Sequence, residues 1–281
     1  MGIIDGKMVA SQIKENITTE VQSLKKKTGK TPGLAVVLVG DDPASAVYVR
    51  NKNKTCNNIG FQSFENILPA NTSESELLNL IHELNNDEKV NGILVQLPLP
   101  NHIASKKILE AINPQKDVDG FHLENVGRLV TGHSLFKPCT PAGIIKLLDK
   151  YDVEIEGKNA VIIGRSNIVG KPVAFLLLER NATVTICHSR TKNLSNLARS
   201  ADILIAAIGK PNFVTADMVK DNSVVIDVGI NRLAGKLVGD VDFSAVLKKA
   251  SLITPVPGGV GPMTIAMLME NTFQAFKNSL K

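Results

Sequence analysis

The sequence has no tryptophan, two tyrosines and three cysteines in 281 residues. Single-strand nucleic-acid binders stack bases on aromatic side chains, and this chain has few to offer. Cys56, Cys139 and Cys187 are odd in number and far apart; they form no CxxC pair. Nor do they combine with His82, His102, His122, His133 or His188 at zinc-ligand spacing. A disulfide framework and a structural metal are therefore not expected, and a reducing compartment, the cytoplasm, is. No apolar run approaches the length that spans a bilayer. Asp5 and Lys7 interrupt the start before a secretory core could form. Position six holds glycine, where a myristoylation signal needs serine or threonine. The formal charge of +5 is mild, and its densest run, Lys25-Lys26-Lys27, has no interleaved aromatics. Such a balance suits small anionic substrates as well as an ordinary solvated surface. Neither a nucleic-acid nor a membrane partner is expected.

A hydrophobic fraction of 43% and a charged fraction of 21% fit two modest domains or one large one. Met8, Ile13, Ile17, Val21 and Leu24 recur at helical spacing, predicting a first helix that ends near Gly29. LAVVLVG (34–40) and NGILVQL (91–97) are short continuous apolar runs, the pattern of buried parallel strands. A weaker strand, FQSFENIL (61–68), lies between them. Helices are predicted at 44–58, from 73, and at 102–112. This alternation reads as an α/β layer. A second series starts at NAVIIG (159–164) and continues through ATVTIC (182–187), DILIAAIG (202–209) and SVVIDVG (223–229). It adds a short strand, SLIT (251–254), and a last helix from Pro262. That half resembles a doubly wound dinucleotide-binding domain. Residues 113–150 are expected to bridge the two layers, with a helix starting near Thr140.

The first strand of the second series runs into GRSNIVGKP (164–172). Gly164 and Gly170 at a strand-to-helix turn would let the backbone approach a phosphate, with helix N–H groups as donors. Only these two glycines of the usual GxGxxG are present, so a tight turn alone is the bland alternative. An NAD site places a carboxylate at the end of the second strand, but here that strand ends CHSRT (187–191). Donors stand in its place: Arg165, Ser166, His188, Ser189 and Arg190. They favour the 2′-phosphate of NADP.

Three stretches of the first half fall at strand ends, where open α/β sheets carry their chemistry. In VGDDPASAVYVRNK (39–52), Tyr48 and Lys52 are four apart and would share a helix face. A partly desolvated lysine beside a tyrosine hydroxyl is expected to exchange protons near neutrality. VQLPLP (95–100) puts Val95, Gln96 and Leu97 at a strand end stiffened by prolines. KDVDGF (116–121) puts Asp117 and Asp119 before a glycine turn. Taken singly, these also read as an exposed lysine, a strand-end glutamine and turn-forming aspartates.

Taken together, and with VIDVGIN (225–231) and PVPGGVGPMT (255–264), these motifs resemble the bifunctional methylenetetrahydrofolate dehydrogenase/cyclohydrolase family over nearly the whole chain. The resemblance implies two α/β domains: a folate-binding catalytic domain over 1–139, joined by the last helix (262–281), and a Rossmann-like NADP domain over 140–261. It implies a folate cleft between them, with Lys52 as central acid/base, Tyr48 beside it, Gln96 supporting the lysine and Asp119 holding the pterin. Val95, Leu97, Pro257, Gly258, Gly259, Val260, Gly261, Pro262, Met263 and Thr264 would line it. Gly164, Arg165, Ser166, Val169, Gly170, Pro172, His188 and Ser189 would hold NADP, and Ile230 would pack near the nicotinamide. Tetrahydrofolate derivatives are the implied partners, and a homodimer through the second domain the implied assembly. A shikimate-type dehydrogenase shares the lysine and the Rossmann domain but lacks PVPGGVGPMT and QLPLP. A non-catalytic nucleotide sensor would need no Lys52 beside Gln96.

Overall fold

The computed structural model describes residues 2–280. The chain opens with β1 (Gly2–Ile3) and α1 (Gly6–Thr28), then alternates β2 (Gly33–Val39), α2 (Pro43–Ile59), β3 (Gln62–Leu68), α3 (Glu74–Asn86), β4 (Gly92–Val95) and α4 (Ser105–Ala111). Two helices follow, α5 (Leu123–Val130) and α6 (Cys139–Lys150). The second alternation is β5 (Asn159–Ile163), α7 (Gly170–Glu179), β6 (Thr183–Cys187), α8 (Leu194–Arg199), β7 (Ile203–Ala206) and β8 (Val224–Asp227). Then come a hairpin of β9 (Asn231–Leu233) and β10 (Lys236–Val238), a single turn α9 (Phe243–Val246), β11 (Leu252–Ile253) and α10 (Val260–Ser279). Among the described residues no helix is long and apolar enough to cross a membrane.

These elements form two compact units. The first comprises Gln12–Cys139 and the residues from Leu268 onward. Its sheet is parallel, in the order β3-β2-β4. Every residue of the central β2 is buried, which is why it reads as an unbroken apolar run. The edge strand β3 keeps polar residues exposed, which accounts for its weak pattern. Helix α2 starts where the Asp42 carboxylate accepts the Ser45 amide and Pro43 occupies the first turn, and it stops at Gly60 in the left-handed region. A reciprocal Ser73–Glu76 capping box starts α3. The last helix packs Phe273 on Phe61, and Asn271 Nδ2 donates to the carbonyls of Val118 and Lys137.

The second unit comprises Thr140–Met267 and the residues up to Ser11. Its six-stranded sheet is parallel throughout, in the order β1-β11-β8-β7-β5-β6. From β5 the chain goes outward to β6 and then returns to β7 on the other side, so the order reverses between β5 and β7. Ligands of doubly wound sheets bind at the strand C-termini beside such a reversal.

Two boundaries differ from the sequence reading. The expectation put residues 1–11 with the first domain; instead β1 pairs with β11, Gly2 opposite Leu252, so they belong to the second unit. The last helix begins at Val260, and its residues up to Met267 also group there. The expected bridge at 113–150 is divided between the units, with α5 in the first and α6 in the second.

Candidate active site

In the first unit the candidate side chains lie on segments that follow β2 and β4. Lys52 lies on α2, which follows β2, and is only 8% exposed despite its charge. Its Nζ donates to Gln96 Oε1 at 3.0 Å. Gln96 comes directly after β4, and its Nε2 donates to the Leu97 carbonyl at 2.8 Å, which turns the amide oxygen toward the lysine. Val95 is buried as the last residue of β4, and Leu97 is half-buried. Tyr48, one turn before Lys52, is 38% exposed and makes no hydrogen bond to the lysine among the described residues. The two residues lie four apart on α2, with the lysine buried and the tyrosine exposed.

Asp117 and Asp119 divide their work. Asp117 is buried and accepts from the His122 amide and from Asn125 Nδ2, both at 2.8 Å, so it holds the turn. Asp119 is half-buried and close to Lys52. Burial pushes its carboxyl above the ordinary aspartate range; the Lys52 charge works against that shift and the Asp117 charge with it. The Cys139 thiol donates to the Val118 carbonyl at 3.4 Å and lies beside Asp119. Burial, then the neighbouring Asp119 charge, raises the thiol well above its ordinary value, so it stays protonated and acts as a donor. Sequence reading treated Cys139 only as a cysteine without metal spacing. Its single signal was its place in the PCTP turn that starts α6. The geometry thus brings Lys52, Gln96, Asp119 and Cys139 together: an ammonium, a fixed amide, a carboxyl and a neutral donor.

In the second unit the loop after β5 has the shape that phosphate binding needs. Gly164 sits at φ +129°, and a Cβ there would lie 2.2 Å from the Ala207 carbonyl oxygen. A Cβ at Gly170 would lie 2.2 Å from the Gly164 carbonyl oxygen. Both positions require glycine for close backbone packing. Ser166 Oγ accepts from the Val169 and Gly170 amides at 3.1 and 3.3 Å, fixing the turn into α7, where Pro172 is buried. Arg165 and Ser166 are exposed. After the neighbouring β6, His188 Nδ1 accepts the Arg190 amide at 3.1 Å, and Ser189 and Arg190 are exposed. The two strand ends therefore present two guanidinium groups and two hydroxyls with no carboxylate among them. A dinucleotide with a 2′-phosphate fits this donor set.

Ile230, just beyond β8, is 48% exposed. A Cβ at Gly261 would approach its Cδ1 to 3.7 Å. In the 257–264 segment Pro257 is exposed, Gly258, Gly259, Val260 and Met263 are buried, and Pro262 is half-buried. Thr264 Oγ1 hydrogen-bonds Thr140 Oγ1 at 2.8 Å, anchoring α10 to α6 within this unit.

Comparison with known proteins matches this division of labour. The family description "Tetrahydrofolate dehydrogenase/cyclohydrolase, catalytic domain" fits residues 4–119, and "Tetrahydrofolate dehydrogenase/cyclohydrolase, NAD(P)-binding domain" fits 138–280. The chain is 60% identical to the bifunctional protein FolD of Campylobacter hominis, over 100% of this chain and 99% of that one. The crystal structure of the bifunctional FolD methylenetetrahydrofolate dehydrogenase/cyclohydrolase of Campylobacter jejuni superposes with a TM-score of 0.97 at 55% identity, covering 99% of each chain. The Trypanosoma brucei dehydrogenase-cyclohydrolase, solved with NADP and an inhibitor, gives 0.96 at 40% identity, covering 99% of this chain and 98% of that one. The shikimate dehydrogenase of Aquifex aeolicus shares the fold alone, with a TM-score of 0.56 at 13% identity. The chain belongs to the tetrahydrofolate dehydrogenase/cyclohydrolase family.

Proposed function

We propose that the chain oxidises 5,10-methylenetetrahydrofolate with NADP and then hydrolyses the methenyl product to 10-formyltetrahydrofolate. The observation that carries the reading is a buried lysine held by a fixed amide beside Asp119, in a chain whose other unit has a phosphate loop. The bound cofactor supplies the hydride acceptor for the bridging methylene carbon. The protein's part in that step is to orient donor and acceptor carbons.

In the second step water adds to the cationic methenyl carbon. One proton leaves the water and one reaches the ring nitrogen as the C–N bond breaks. Lys52 Nζ carries that proton, either from the water or to the nitrogen, and Gln96 Oε1 keeps Nζ in place. Asp119 accepts from the adjacent N–H groups of the pterin and fixes the ring. Tyr48, Val95, Leu97 and residues 257–264 are added as folate contacts by the family resemblance. Arg165, Ser166, His188 and Ser189 bind the nucleotide, with Gly164, Val169, Gly170 and Pro172 shaping the loop and Ile230 near the nicotinamide.

A two-wavelength assay of methenyl-folate and reduced cofactor tests the whole reading. Reduced cofactor should accumulate with methylene substrate while methenyl-folate passes on to product. Cofactor reduction with no consumption of methenyl-folate would remove the second activity; no reduction at all would remove both the oxidation and its cofactor.

The same proposal includes a homodimer through the second unit, where the edge strand β6 leaves Ile186 exposed and α7 leaves Leu178 exposed. It also includes a cytoplasmic location, supported by three buried free cysteines.

A further inference from the structure

Beyond β7 the chain turns so that three successive amides, those of Ile208, Gly209 and Lys210, donate to the carboxylate of Asp240 at 2.7, 3.0 and 2.8 Å. Asn231 Nδ2 donates to the same carboxylate at 2.9 Å. Asp240 is 0% exposed. It is tied in turn to Asp227, the last residue of β8. Asp227 Oδ1 accepts the Gly229 and Asp240 amides, both at 2.9 Å, and Oδ2 accepts the Val241 amide at 3.0 Å. Neither carboxylate has an ion-pair partner among the described residues. Buried carboxylates without a cation are costly, and each is offset here only by converging N–H groups.

What those N–H groups belong to is informative. Residues 208–210 follow β7, and residues 229–231 follow β8. Both segments lie at the strand C-termini where this sheet type binds its ligand. The 207–210 turn also abuts the phosphate loop, since the Cβ that Gly164 lacks would meet the Ala207 carbonyl. Exposed Ile230 stands between Gly229, held by Asp227, and Asn231, held by Asp240.

We infer that Asp240 is a positioning residue for the nicotinamide cofactor, fixing the 208–210 turn and the Ile230 segment so that both are preformed to receive it. It takes no part in hydrolysis, which moves no electrons and needs no cofactor. The inference rests on the NADP site proposed above.

Asp240→Asn keeps the side chain's size but turns one acceptor into a donor facing backbone N–H groups. Loss of a hydrogen bond to a charged group corresponds to about tenfold or more, so KM for NADP should rise by at least that factor. The kcat of methenyl-folate hydrolysis by the same preparation should stay within about twofold, as expected of a site that binds no nucleotide. Equal loss of both activities would make Asp240 a structural residue and overturn the inference, as would an unchanged KM for NADP. Should Asp240→Asn fail to fold, Asn231→Ala removes one donor and leaves the three amides. It should raise KM for NADP about threefold with hydrolysis unchanged, and a parallel loss there counts equally against the inference. Failure of the underlying reading looks different: the unmodified protein would then show no saturable dependence on NADP.

Discussion

Replacing Gln96 with alanine tests whether Lys52 must be held in place to work. The bond at stake is a charge-assisted contact of 3.0 Å to a lysine that is 8% exposed, so solvent replaces the lost acceptor poorly. Such bonds contribute about 1.5–3 kcal/mol. If the full amount is felt in the transition state for hydrolysis, kcat falls by about ten- to a hundredfold. Lys52→Met sets the floor, because it removes the proposed proton carrier itself. The double variant should be no slower than Lys52→Met alone, since Gln96 acts only through the lysine. Gln96→Glu gives an independent readout. A carboxylate touching Nζ favours the charged ammonium, so the pH–rate profile of hydrolysis should move to higher pH. The assay is the decay of methenyl-folate absorbance across pH, with thermal unfolding of each variant as the check on folding. Retention of kcat within about twofold in folded Gln96→Ala, or additive losses in the double variant, would refute the reasoning.

Asp119→Ala should weaken folate binding about ten- to a hundredfold while NADP binding is kept, and Asp117→Ala should lower the thermal midpoint instead. Titration of both ligands separates the two roles; equal weakening for both ligands in Asp119→Ala would assign it to the turn. Arg165→Ala should raise the apparent constant for NADP about tenfold at low salt, less at high salt, and barely alter that for NAD. Comparable efficiency of the unmodified enzyme with NAD and NADP would sink the cofactor assignment. Asp227 provides a pH signature: burial, with the Asp240 charge adding to it, pushes its carboxyl up to about 6 against the three amides it accepts. The folded state thus holds this proton more tightly than the unfolded chain. Its contribution, about 3 kcal/mol, is fully present below the ordinary value and is lost as pH rises through about 6. Denaturant titrations should show Asp227→Asn flattening the fall in stability over that interval; an unchanged slope would contradict it.

The parts that could be read in advance are those whose physics is local. β2, β4, β5, β7 and β8 are buried on both faces, and their short apolar runs announce that directly. The glycines at 164 and 170 announce a close-packed turn, and the spacing of Tyr48 and Lys52 announces a shared helix. The contacts that complete the candidate site are not local. Gln96 meets Lys52 across 44 residues, and Cys139 meets Asp119 only because α6 starts beside that turn. Nothing in GDVDF (239–243) tells of three amides arriving at Asp240 from 208–210. The β9–β10 hairpin and the two-residue β1 are too short to carry a period.

That first short strand has a consequence for how the protein is made. Gly2 is made well before the Leu252 it pairs with, which follows 250 residues later in the sequence (252 − 2). At bacterial-to-eukaryotic elongation rates of about 5–20 residues per second, the wait is roughly 12–50 s. During that interval Gly2 and Ile3 have no β11 to pair with, although the elements from β2 to α5 have already been made. The six-stranded sheet is therefore completed only when β11 has been made and captures β1, a strand made long before it. A bulky fusion placed just before Gly2 would interfere with that capture more than one placed after the final helix.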